Sequence, residues 1–204
     1  MDTLAKLFGG QPRIKIMRLF LLNSEEVFEI EDITSRSRVA KTTAKKEINA
    51  LVSMEFIKPK TLIVEGARGA KKKVPAWQLN QSFQYLPHVK ELLINPSILL
   101  QEDLVERFKG VGRIKLMVVS GVFIGEGKSR VDLLLVCDKL NKTNLNQVVK
   151  ALEAEIGKEL DYVVFDSNEF KYRLDMYDKL VCDVIDLPHK TLIDLGQLST
   201  YTSK

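Results

Sequence analysis

The run VDLLLV, Val131–Val136, constrains this chain most. Five of its six residues are aliphatic. An apolar run of that length, bounded by turn residues, reads as a buried strand. It is entered from a glycine-bearing turn, GVFIGEGKSR, and needs neighbours in a sheet. The flanking sequence supplies them. RIKLMVVSG predicts a strand ending at Ser120-Gly121, LDYVVFD a third strand and KTLIDL a last short one. Between them, SILLQEDLVERFKG and NLNQVVKALEAEIG carry helical apolar stripes, and SNEFKYRLDMYDKLVCDVID reads as mainly helical. Strands alternating with helices over residues 95–204 predict an α/β or α+β domain with a mixed sheet.

One acid, Asp132, interrupts the run. Residues i and i+2 of a strand share a face, so Arg130 is expected to point the same way as Asp132. A second acid at position 130 would make a carboxylate pair able to hold a divalent metal. Arginine does not, because its guanidinium keeps its charge at any useful pH. The same turn ends in Gly127-Lys128-Ser129, as a P-loop does. That motif needs four residues between its first glycine and the Gly-Lys pair. Here five residues separate Gly121 from Gly127, and the turn opens a strand instead of a helix.

The N-terminal part has a different pattern. RIKIMRLFLLN, Arg13–Asn23, is apolar over much of its surface and follows Pro12, which suits a helix's first turn. VFEI is a short strand or a lead-in. Ile30 and Ile33 stand at helical spacing ahead of Ser/Arg-rich turn residues. In AKTTAKKEINALVSMEF, Ala44, Ile48, Leu51 and Val52 form an apolar stripe. The opposite face shows Lys41, Thr42, Lys45, Lys46 and Asn49. Ile57–Val64 and Val74–Leu79 predict two strands around the turn EGARGAKKK, which carries Arg68, Lys71, Lys72 and Lys73. A further helix follows, with Phe83, Leu86, Val89, Leu92 and Leu93 on its apolar face. That face is expected at a homodimer seam or against the C-terminal domain.

Charge separates the halves. Residues 1–96 hold 16 Lys/Arg against 10 Asp/Glu, and residues 97–204 hold 15 against 17. Between Arg36 and Lys73 there are 11 basic residues and 3 acidic ones, a concentration that suits a polyanion. Nothing approaches the roughly 18 apolar residues of a membrane span, and MDTLAKLFGG lacks a signal peptide's apolar core. A cytoplasmic protein without membrane contact is expected. Cys137 and Cys182 are far apart, as are His88 and His189, so reduced thiols and no metal site or cofactor are expected.

Three helices followed by a basic hairpin resemble the winged helix-turn-helix regulators of bacteria and archaea, over about residues 10–94. The resemblance implies a domain at 1–94 that binds double-stranded DNA. The helix carrying Lys41, Thr42, Lys45, Lys46 and Asn49 would enter the major groove, and the wing bearing Arg68, Lys71, Lys72 and Lys73 would touch the backbone.

The segment Ser120–Val136 resembles the minimal nucleotidyltransferase domain, where a strand ends in Gly-Ser and the next strand carries an Asp-x-Asp pair. A third acid lies on the strand after, and the three carboxylates bind two magnesium ions. The resemblance, spread over a domain at 95–204, implies that Asp132 matches the second acid and Asp161 the third. Arg130 takes the first acid's place, and the Gly-Ser pair is reversed as Ser120-Gly121. Such a site is degenerate. Arg130 would bridge the acids, or with Lys128 hold a phosphate of a bound nucleotide. The combined expectation is an α+β chain that binds duplex DNA, with a C-terminal domain for ligand sensing, dimerisation or partner binding. The alternatives are an active magnesium-dependent nucleotidyltransferase of the toxin–antitoxin kind, targeted by its winged helix, and a protein-interaction module.

Overall fold

The computed structural model describes residues 3–65, 71–94, 104–125 and 129–195. The fold is α+β. It divides into unit 1, Met1–Ile94 with Ala151–Lys158, and unit 2, Asn95–Lys150 with Glu159–Lys204.

Unit 1 begins with helices α1 (Thr3–Phe8) and α2 (Gln11–Leu22). Pro12 sits in the first turn of α2, where its missing N–H costs nothing. The apolar residues of α2 run around the helix, and Ile14, Ile16, Leu19 and Phe20 are each at most 1% exposed. Strand β1 (Val27–Glu29) leads into α3 (Ile30–Ser37). A reciprocal cap opens α3: the Glu29 side chain accepts from the N3 backbone, and Asp32 accepts from the Glu29 N–H. Arg38 closes it in a left-handed conformation (φ 53°). Only Arg38, Val39 and Ala40 separate α3 from α4 (Lys41–Ser53). Val39 is buried, which fixes this turn on the core.

Strands β2 (Ile57–Glu65) and β3 (Lys71–Leu79) pair antiparallel without a register break, and β1 adds to the far side of β3. The hairpin is longer than the sequence implies. Lys71, Lys72 and Lys73, expected in the turn, lie in β3 opposite Glu65, Val64 and Ile63. Helix α5 (Leu86–Leu93) follows. Leu93 is fully buried, and Phe83, Leu86 and Val89 are half-buried against the core of unit 1.

Arg18 shows how this unit is tied together. Its Nε donates to Leu93 O (2.9 Å) and its Nη1 to Glu155 O (3.0 Å), both late carbonyls of helices. Such carbonyls have no partner inside their own helix, and a cation there also meets the negative end of the helix dipole. Gly157 must be glycine. Its φ is +91°, and a Cβ would stand 2.5 Å from the Arg18 and Leu19 backbone.

Unit 2 is a mixed sheet in the order β6-β5-β4-β7. Its strands are β4 (Arg113–Val119), β5 (Leu133–Asp138), β6 (Tyr162–Phe165) and β7 (Lys190–Asp194). Helix α6 (Leu104–Arg107) precedes the sheet, α7 (Lys142–Ile156) links the parallel pair β5 and β6, and α8 (Ser167–Asp175) and α9 (Lys179–Asp186) follow. Every residue from Leu133 to Cys137 is at most 2% exposed, so β5 is covered on both faces. One face packs Leu116, Val118, Leu134 and Val136 against Phe170, Val181 and Val184 of α8 and α9. Among the described residues, no helix is long and apolar enough to cross a membrane.

Candidate nucleic-acid interface

Helix α4 separates its faces cleanly. Ala44, Glu47, Ile48 and Leu51 turn inward, while Lys41, Thr42, Lys45, Lys46 and Asn49 are all exposed. The spacing of the inward residues, i, i+3, i+4 and i+7, is the periodicity of one helix face. The five outward residues therefore share the first three turns of one accessible side. They offer three ammonium groups, one hydroxyl and one amide, all suited to phosphate oxygens and base edges.

Glu47 is the inward exception, and sequence reasoning passed over it. Its carboxylate accepts from Arg13 Nε at 2.6 Å. The signal was available, because Glu47 stands on the same face as Ala44, Ile48 and Leu51. The pair anchors α4 to α2. We expect Arg13→Ala to cost about 2 kcal/mol, less than the ~3–5 kcal/mol of a fully buried pair, because the arginine is 24% exposed. Chemical denaturation of the purified variant measures it.

Lys41 pairs with Glu31 in the first turn of α3. That hydrogen bond, more than any other influence, holds the Glu31 carboxyl below its ordinary range, with the charges of Lys41 and Lys45 adding to it. One exposed acid thus stands among the basic residues of this face.

In the hairpin, alternation places Lys71 and Lys73 on one face and Lys72 on the other. All three are exposed. Arg68 lies outside the described residues.

The acids of unit 2 are arranged differently from the sequence expectation. Asp132 precedes β5 and is 3% exposed. Its Oδ1 accepts from Val122 N (2.8 Å) and its Oδ2 from Asp161 N (3.1 Å). Its own carbonyl accepts from Ser120 N (2.9 Å), and its N–H donates to Asp161 O (2.6 Å). Asp132 therefore stitches the 3-10 turn Gly121–Phe123 to the start of β6. Gly121 permits this. Its φ is +53°, and a Cβ would lie 2.2 Å from Asp132 Oδ1. Ser120 turns inward, its Oγ donating to Val131 O at 2.5 Å with Ser129 Oγ at 2.9 Å.

Arg130 does not bridge Asp132 and Asp161. Its Nη1 reaches Asp183 of α9 at 3.2 Å. Asp161 contributes its backbone to the cluster, and the residue is exposed. Lys128 lies outside the described residues. A pair of magnesium ions needs carboxylate oxygens converging on open space, whereas both oxygens of Asp132 are committed to backbone N–H groups. The residues present do not fit the metal pair, and among the described residues no group of three His, Cys, Asp or Glu could hold a metal.

Asp138, at the other end of β5, is also committed. It accepts from Ser167 Oγ (2.8 Å) and Ser167 N (3.1 Å). The hydroxyl bond first, then the N–H and the charges of Lys115 and Arg113, hold its carboxyl below the usual range. A depressed folded value stabilises above the unfolded carboxylate pKa of about 3.9 and loses that contribution as pH falls through the folded value. The stability gap between wild type and Asp138→Asn should therefore be full at neutral pH and close from about pH 4 downwards. Unfolding midpoints across that range test the sign.

No family model matches the chain, and no curated protein matches it.

Proposed function

We propose that this chain is a sequence-specific, duplex-DNA-binding regulator whose N-terminal unit works as a winged helix-turn-helix. The observation that carries the reading is α4. It follows α3 after three residues, buries one apolar face and presents Lys41, Thr42, Lys45, Lys46 and Asn49 outward. The order α2-β1-α3-α4-β2-β3, with a hairpin carrying exposed lysines, supports it further. In this reading α4 lies in the major groove. Lys45 and Lys46 meet phosphates, Thr42 and Asn49 reach base edges, and the hairpin follows the backbone.

Unit 2 serves this regulator as a nucleotidyltransferase-like domain without transfer chemistry. The strand, short turn and strand around Ser120–Asp132 follow the family's order. The carboxylate at Asp132 acts as a backbone clamp instead of a metal ligand.

Fluorescence anisotropy with labelled duplex, repeated over a salt series, tests the reading. Wild type should bind with an affinity falling steeply in salt, each neutralised phosphate adding about 0.9 to the logarithmic slope. Salt-independent binding contradicts it. Glu31→Gln releases Lys41 and removes a charge that repels phosphate. That variant should bind several-fold more tightly to all duplexes alike.

A further inference from the structure

The net charge of −2 over residues 97–204 conceals an uneven distribution. Residues 159–195 carry 9 acids against 4 Lys/Arg. Residues 104–115 and 138–142 carry 6 Lys/Arg against 2 acids. The fold joins these two basic segments at one end of the sheet. Arg113 at the start of β4 stands opposite Asp138 at the end of β5. Asn141 N donates to Val111 O (2.7 Å), and Asn144 Nδ2 donates to Gly110 O (2.9 Å). Gly112 closes the joint, since a Cβ there would stand 2.6 Å from Cys137 Sγ and 3.0 Å from the carbonyls of Asp138 and Lys139. The loop bearing Lys109 is thus pressed against the loop bearing Lys139 and the start of α7 at Lys142.

The two acids at this end are already engaged. Glu106 pairs with Lys109. Asp138 is bonded by the backbone and hydroxyl of Ser167 at the start of α8. Among the described residues, Arg113, Lys115, Lys139 and Lys142 have no ion-pair partner. Arg113, Lys139 and Lys142 are exposed, and Lys115 is half-buried at a bulge in β4. Lys139 holds a left-handed backbone (φ 55°) at the strand's exit. Asp138 offsets Arg113 and Lys115 in part, and the cations still outnumber the acids at this end. Cations in excess, held together by a packed backbone and spread along an edge, favour a polyanion over a single small anion.

We propose that this basic end of unit 2 binds the phosphodiester backbone of duplex DNA, as a second contact beyond α4 and the hairpin. The choice of duplex DNA as the polyanion rests on the proposed function, while the surface does not. Its contacts are to phosphate alone, so they add affinity without sequence preference.

The test compares three full-length proteins by anisotropy over a salt series: wild type, Arg113→Gln with Lys139→Gln and Lys142→Gln, and Lys45→Gln with Lys46→Gln. Unfolding midpoints confirm that each is folded. The triple variant should bind every duplex more weakly, with a logarithmic salt slope lower by about 2–3. An unchanged slope overturns the inference whatever the Lys45/Lys46 variant does. A lower slope for the triple variant, with none for the Lys45/Lys46 variant, upholds this surface and removes α4 as the interface. Failure of wild type to bind duplex at 50 mM salt, on the order of the low-salt conditions where such contacts are strongest, overturns both.

Discussion

Asp132→Ala should destabilise unit 2 by about 3–5 kcal/mol. Hydrogen bonds to a charged group contribute about 1.5–3 kcal/mol each, and a buried donor left without its acceptor carries a desolvation penalty. Asp132 accepts from two backbone N–H groups, Val122 and Asp161, at 3% exposure. Removing it orphans both donors and leaves a void beneath the Gly121–Phe123 turn. Gly121→Ala should damage the same clamp from the other side, because its Cβ would displace Oδ1. Hydrogen exchange of the β4 and β5 amides, compared with wild type, reads both effects. A carboxylate kept for metal binding behaves oppositely: its removal relieves repulsion and leaves protection unchanged or higher. Protection retained in Asp132→Ala would show that the clamp is not structural.

The second large effect is on binding. Lys45 and Lys46 lie on the exposed side of α4, among the described residues without an ion-pair partner. If each neutralises one phosphate, Lys45→Ala with Lys46→Ala lowers the salt slope by about 1.8 and the affinity at 0.1 M salt by about 50-fold. The loss should be nearly equal for all duplexes, since phosphate contacts carry no sequence information directly. Exposed lysines touch no core, so the unfolding midpoint should stay within about 0.5 kcal/mol of wild type.

How far the chain could be read from its residues depended on the range of the forces involved. The stripe Ala44, Ile48, Leu51 repeats locally, and α4 appears where it points. The aliphatic run after Asp132 became β5, shifted two residues on, because Asp132 is held by the turn and by Asp161 instead of joining the ladder. Lys71–Lys73 read as a turn because lysine is poor at specifying strands. Their strand comes from a register set by Ile57 opposite Leu79, at the far end of the hairpin. The partner of Arg130 was not legible. Face-sharing points Arg130 toward Asp132, but Asp183 lies on a helix that only the packing of α9 against the sheet delivers. Likewise the apolar face of α5 is plain in sequence, while its use inside unit 1 is set by the tertiary contacts of α2.

The central claim is that α4 reads DNA sequence. Selection of bound duplexes from a random pool, run with wild type, Thr42→Ala and Asn49→Ala, tests it most directly. Wild type should enrich one short consensus, and each substitution should relax preference at particular positions while leaving the others. No enrichment over the starting pool, or the same consensus from all three proteins, would contradict the claim.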